Sequence, residues 1–125
     1  MVPQGHPDLD VLLASVPAGD AEESDLAEIT SPAAVVRRGG QVVAAAGYRR
    51  WPGRVAHMSV LTAPEQRGRG LARVVAGAAV AHGVANRLLP QWRARPGASR
   101  RVAQALGFRE LGVQLSVRVA DRVAM

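Results

Sequence analysis

The sequence predicts an α+β domain in which helices flank a mixed, mostly antiparallel central sheet. Three observations predict it. Residues 34–62 hold three β-rich runs divided by short turns, residues 71–85 repeat apolar side chains at helical spacing, and strand-like and helix-like runs then alternate as far as residue 119. A chain of 125 residues suits one domain, 1–125, able to bury roughly two thirds of its unfolded surface. Trp51, Trp92, Tyr48 and Phe108 are its only aromatic residues, so the core is built from Val, Leu and Ala, which favours close helix-on-sheet packing.

Taken in order, "DLDVLLASV" and "DAEESDLAEI" read as two short helices, the second with Asp20 as its N-cap and acids in its first turn. Pro32 ends that pattern. "AVVRRGGQVVAAAGY" is a hairpin signal around Gly39-Gly40, a pair able to supply positive φ. "RWPGR" is a second turn and "VAHMSVLT" a third strand, which makes 34–62 a three-stranded meander. "LARVVAGAAVAHGVA" runs about four helical turns, with Leu71, Val74, Val75, Ala78 and His82 on one face. "LLPQW" is a short buried strand and "SRRVAQALG" a helix with Ser99 as cap and Gly107 as left-handed terminator. "FREL" and "VQLSVRV" close the order as strands.

Composition excludes several classes. Without cysteine there is no disulfide framework, thiolate nucleophile or Cys-ligated zinc site, and no metal is expected. No apolar run reaches the roughly 18 residues of a membrane span, and "MVPQGHPDLD" lacks the order of a signal peptide, so a cytoplasmic protein is expected. Every basic side chain but the three histidines is Arg, and the net charge of +6 is unevenly spread. Residues 1–30 carry seven acids and no Arg; the rest carries sixteen Arg and three acids. A basic body suits a polyanion. Basic runs and stacking aromatics are too sparse to favour nucleic acid.

The most pointed stretch is Arg67-Gly68-Arg69-Gly70-Leu71-Ala72, where a strand gives way to the long helix. A helix N-terminus offers unpaired N–H groups and partial positive charge, glycines let backbone approach a ligand, and Arg67, Arg69 and Arg73 add charge-assisted contacts. The combination suits a pyrophosphate. No Gly-Lys-Ser/Thr follows, and Arg73 stands where a dinucleotide fingerprint needs its third glycine, so neither well-known phosphate loop is present.

This stretch resembles the acetyl-CoA-binding motif of the GNAT N-acetyltransferase superfamily, Arg/Gln-x-x-Gly-x-Gly/Ala, and Leu106-Gly107-Phe108 is similar to the family's usual end to its next helix. The resemblance covers about 34–119, an acetyl-CoA-binding core, with the acidic helices of 1–30 in the place of the family's opening helices. It implies acetyl-CoA as co-substrate and a small-molecule or protein amine as acceptor. The backbone of Val60, Leu61 and Thr62 would meet the pantetheine arm, the amides of Arg67, Gly68, Arg69, Gly70, Leu71 and Ala72 the pyrophosphate, and Ser99 would approach the pantetheine.

The sequence also departs from the family pattern. Pro96 and Ala103 stand where many members carry an Asn and an acid Tyr, so no acid is identified. By family spacing the acceptor-facing side of the strand carries Ala56 and Met58, with His57 pointing away toward solvent or a covering helix; His57 is a candidate base if a bulge turns it inward. Amine attack on a thioester depends above all on proximity, worth ~7–11 kcal/mol, with a strand N–H such as that of Leu61 for the developing oxygen charge. His82 reads as a hydrogen-bonded boundary histidine, and His6, near the terminus, carries no signal. Tyr48 and Trp51 in "YRRWPGR" are either the lip of an acceptor groove or a packed turn. The family's opening strand has no room before the first helix, which leaves a sheet edge that a homodimer would cover. An N-acetyltransferase is the leading expectation; a non-catalytic acyl-CoA-binding domain and a basic nucleic-acid-binding module are the alternatives.

Overall fold

The structure, a computed structural model, describes residues 1–93, 106, 107, 109–111 and 114–116. The expected helix over 99–107, with Ser99, Pro96, Ala103 and Phe108, lies outside the described residues apart from Leu106 and Gly107. Helices α1 (Pro7–Ser15) and α2 (Ala18–Ser24) lead into β1 (Ala34–Arg38), β2 (Gln41–Trp51) and β3 (Val55–Thr62). Helix α3 (Leu71–Ala85) then precedes β4 (Leu89–Arg93), β5 (Arg109–Leu111) and β6 (Gln114–Ser116). These strands form one sheet in the order β1-β2-β3-β4-β6-β5, antiparallel except where β3 and β4 run parallel. The predicted mixed, mostly antiparallel sheet is therefore present, with β1 at one end of the order and only an isolated bridge, Val2 to Ala33, just beyond its start.

The turns follow from their residues. Gly39 and Gly40 take φ of 58° and 82°, the positive pair that a two-residue hairpin between Arg38 and Gln41 requires. Three residues join Trp51 to Val55, two of them, Gly53 and Arg54, at positive φ.

Alternation divides the sheet into two faces. Ala44, Ala46, Tyr48, Ala56 and Met58 share one face, which α3 covers: a Cβ added at Gly83 would lie 3.5 Å from the Ala56 Cβ and 3.6 Å from the Tyr48 ring. The small residues of α3, Ala76, Ala79 and Gly83, are buried against it, so helix and sheet lie close. The inward face of α3 is thus Leu71, Val75, Ala76, Ala79, Val80 and Gly83. Val74, expected inside, is 61% exposed, and Ala78 is exposed too, because the helix turns its small residues rather than its Val74 row to the sheet.

The N-terminal segment covers the other face, burying Leu9, Leu12, Leu26 and Ile29. Two expectations about it are corrected. Asp20 is not an N-cap: α2 starts at Ala18 with Pro17 before it, and Asp20 lies inside the first turn. The second helix also stops at Ser24, where Asp25 turns left-handed at φ 57°, and a single 3-10 turn, Leu26–Glu28, completes the run. His6 does carry a signal, since its Nδ1 accepts from the Asp8 N–H at 3.1 Å and so caps α1. No helix among the described residues is long and apolar enough to cross a membrane.

Gly47 marks a close contact between the layers. A Cβ there would fall 2.7 Å from the Ile29 Cδ1 and 3.0 Å from the Ser31 Oγ, and that hydroxyl is held by bonds to the Tyr48 N–H and the Pro32 carbonyl. Gly47→Ala is expected to cost about 1–3 kcal/mol by overpacking, read as a lower urea midpoint with unchanged slope. An unchanged midpoint would show that residues 29–31 yield freely.

Candidate cofactor site

Strands β3 and β4 pair only at Val55–Leu89, Ala56–Pro90 and His57–Gln91. Beyond this, Trp92 and Arg93 pair only with β6, while β3 continues to Thr62 against β2 alone. The two strands therefore part after His57, leaving one edge of β3 open among the described residues.

Backbone direction decides which groups face the opening. The Ala63 N–H donates to the Val43 carbonyl at 2.8 Å, on the β2 side, and the Arg54 carbonyl accepts from the Leu89 N–H at 2.7 Å, on the β4 side. Because direction alternates along an unbroken ladder, odd-numbered residues of β3 turn their N–H and C=O toward β2 and even-numbered ones toward β4. The pairing of His57 with Gln91 takes up the Met58 N–H, so Val60 and Thr62 are the residues that present N–H and C=O groups to the opening without a backbone partner among the described residues. The Leu61 N–H faces β2, which corrects the expectation that it meets a developing oxygen charge. The pairing of β2 with β3 also runs without a register shift, so no bulge turns His57 inward.

At the far end of the opening, one 3-10 turn, Pro64–Gln66, leads into the Arg-Gly corner. Gly68 and Gly70 have φ of 80° and 74°, and added Cβ atoms would meet nothing within 4 Å, so conformation rather than space calls for glycine at both. Gly70 is the N-cap of α3 and offers no side chain to its leading amides. The first intrahelical bond is from the Val74 N–H to the Gly70 carbonyl at 3.2 Å, which leaves Leu71, Ala72 and Arg73 with N–H groups facing outward. No acid lies in the first turn, and Arg69 and Arg73 are exposed without a carboxylate partner among the described residues. This end of the helix is an anion-receptive surface. Arg67 is different: its Nη2 donates to the Asp20 Oδ2 of α2 at 2.9 Å, so its side chain is tied to the N-terminal segment. Between strand and corner, the Thr62 Oγ1 and Gln66 Oε1 are buried without a hydrogen-bond partner, and such atoms suit a polar ligand.

His57 sits where the strands part, on the face opposite α3. It is 4% exposed, its ring stacks on Trp51 with centroids 4.4 Å apart, and its Nε2 lies 3.7 Å from the Asp25 Oδ2. Ala56 and Met58 lie beneath α3. Ser59, buried two residues beyond His57 on the same face, has an Oγ without a hydrogen-bond partner. Sequence reading passed over Ser59 and Gln66, although counting by twos along β3 groups Ser59 with His57. Tyr48 and Trp51, three apart on β2, face opposite sides and cannot line one groove. Tyr48 instead meets His82, as a 2.8 Å contact between its hydroxyl and Nδ1 shows.

The family model for the GNAT acetyltransferases matches residues 33–112. The chain belongs to this family. No curated protein sequence matches it. Among solved structures, the ribosomal-protein-alanine N-acetyltransferase of Brucella melitensis is similar over 68% of this chain and 65% of its own, at 25% identity and a TM-score of 0.58. A GNAT-family acetyltransferase of Novosphingobium aromaticivorans is 27% identical, with 88% of this chain and 50% of that one covered and a TM-score of 0.66. YhbS of Escherichia coli, a GNAT N-acetyltransferase solved in complex with CoA, shares the fold over 97% of this chain and 79% of its own, at 18% identity and a TM-score of 0.67. The chain thus spans about half to two thirds of the first two.

Gly70→Ala is expected to destabilise the protein by about 1–2 kcal/mol, the cost of a left-handed non-glycine residue, measured by urea unfolding. A wild-type midpoint would mean that the corner relaxes to negative φ.

Proposed function

We propose that the protein transfers an acetyl group from acetyl-CoA to an amine carried by a small molecule or a protein. The observation that carries this reading is the parting of β3 and β4 beside an uncapped, glycine-shaped helix start. Family membership and the CoA-bound YhbS structure support it.

Acetyl-CoA supplies an activated acyl carbonyl; this chain's part is to hold and orient it. The leading amides of α3, with Arg69 and Arg73, would bind the pyrophosphate, as would the backbone of Arg67, Gly68 and Gly70. The open groups of Thr62 and the Val60 carbonyl are suited to the amides of the pantetheine arm, and the Val60 N–H to the charge developing on the carbonyl oxygen. Leu61 then serves by holding β3 to β2. Ser99 would approach the pantetheine, as the family resemblance implies. His57 is the base we propose, without the bulge the sequence reading required: α3 covers the Ala56 and Met58 side of β3, His57 stands on the opposite face where β3 and β4 part, and Asp25 lies within ion-pair range should the ring take a proton.

The test is calorimetry with acetyl-CoA at ~0.3 M salt to suppress loose electrostatic binding, followed by thiol release across a panel of amines. Selective binding with turnover is expected. Binding without turnover would point to a non-catalytic acyl-CoA domain, and no binding would remove the proposal. His57→Gln should lower kcat by about 10²–10⁴ if the ring is the base, with acetyl-CoA affinity unchanged; retention of kcat and of its pH profile would discharge His57 from that role.

A further inference from the structure

A cavity of about 460 Å³ opens between the C-terminal end of α3 and the segment 30–32 that runs beside β2. It is lined by Thr30, Ser31, Pro32, Tyr48, Arg50, His82 and Asn86, none of which belongs to the corner or to the open edge of β3. Its size is that of a small-molecule site. The fifteen residues of α3 place roughly 22 Å between this end of the helix and the corner.

Hydrogen-bond accounting shows what the lining has left to offer. The Ser31 hydroxyl has no proton left to give, since it donates to the Pro32 carbonyl and accepts from the Tyr48 N–H, each at 2.8 Å. Thr30 Oγ1 accepts from the Arg50 N–H at 2.9 Å and keeps its own proton to donate. The Asn86 amide nitrogen donates one N–H to the His82 carbonyl at 2.8 Å, which leaves its second N–H to donate and Oδ1 to accept. Tyr48 and His82 share one bond at 2.8 Å. If the phenol donates to Nδ1, the proton on Nε2 remains; if Nδ1–H donates, the phenol proton remains. Burial pushes the Tyr48 phenol above its ordinary range, so the pair keeps a donor at neutral pH in either arrangement. Arg50 adds its guanidinium, has no carboxylate partner among the described residues, and no acid lines the cavity. Donors of three kinds line the cavity, and one of them, Arg50, carries a fixed positive charge with no negative charge among the lining to offset it.

We propose that this cavity binds a small anion, a carboxylate or phosphate group held by Arg50, the Thr30 hydroxyl and the Tyr48–His82 pair, with the Asn86 Oδ1 accepting from a ligand hydroxyl or N–H. Pro32 and the Tyr48 ring supply its apolar side. The site is separate from the acetyl-CoA site and does not depend on it.

The test is a titration of the isotopically labelled full chain with inorganic phosphate and, separately, succinate, at constant ionic strength, followed by two-dimensional NMR. Saturable shifts are expected at the Thr30 and Arg50 amides, the Asn86 side-chain amide and the His82 ring. Affinity should fall about tenfold or more in Arg50→Gln, since a charge-assisted bond is lost. Arg50 is exposed, so this variant is expected to fold as the wild type does; Tyr48→Phe, which keeps the ring, should weaken binding less. A stronger response to phosphate assigns a phosphoryl ligand, and to succinate a carboxylate. Shifts confined to residues 67–72, shifts that do not saturate, or equal affinity in Arg50→Gln would each overturn the proposal.

Discussion

The parting of β4 from β3 is the constraint on which the site depends. Parallel pairing lasts three residue pairs and then gives way to two antiparallel ladders, β2 with β3 and β4 with β6. An open strand edge inside a sheet would ordinarily leave polar backbone groups wanting partners. Here the exposed groups lie on every second residue of β3, and the same strand leads through one turn to the start of α3. Open backbone and glycine corner are thus fixed relative to one another by a single continuous stretch, Met58 to Ala72.

A second theme is how the acidic N-terminal segment is joined to the basic remainder. Three carboxylates from that segment reach across: Asp8 to Arg37 on β1 at 2.6 Å, Asp20 to Arg67 at the corner, and Asp25 toward His57 on β3. The first two pairs are substantially exposed, and such pairs contribute little each. Their value is in alignment. Apolar burial of Leu9, Leu12, Leu26 and Ile29 carries the segment onto the sheet, and the charges settle its position. Burial and charge thereby give the uneven sequence a structural use, before any external polyanion is invoked.

The meander, the corner and the extent of α3 were legible in the sequence because each rests on local rules: Gly39-Gly40 for a tight hairpin, glycines at a strand-to-helix junction, apolar residues at helical spacing. Sidedness was not. The observed inward face of α3 is turned by about a quarter turn from the one expected, at roughly 100° per residue, enough to exchange Val74 for Ala76, and how closely the alanines let the helix approach decides it. The choice between Leu61 and its neighbours for the open edge depends on which ladder takes the odd-numbered amides, a fact of pairing rather than of composition. Asp20 looked like a cap because acids favour helix starts, but its carboxylate has a partner 47 positions away.

The alanines beneath α3 carry a final consequence. Ala44, Ala46 and Ala56 on the sheet meet Ala76, Ala79 and Gly83 on the helix, a seam of side chains near the lower limit of size. Such a seam has little slack: Gly83 would still admit a methyl group, 3.5 Å from the Ala56 Cβ, but a bulkier side chain along it must lift the helix, and lifting the helix displaces both of its ends together. Substitutions far from either end are then felt at both, so the interior of this protein is free to vary mainly in ways that leave the height of one helix unchanged.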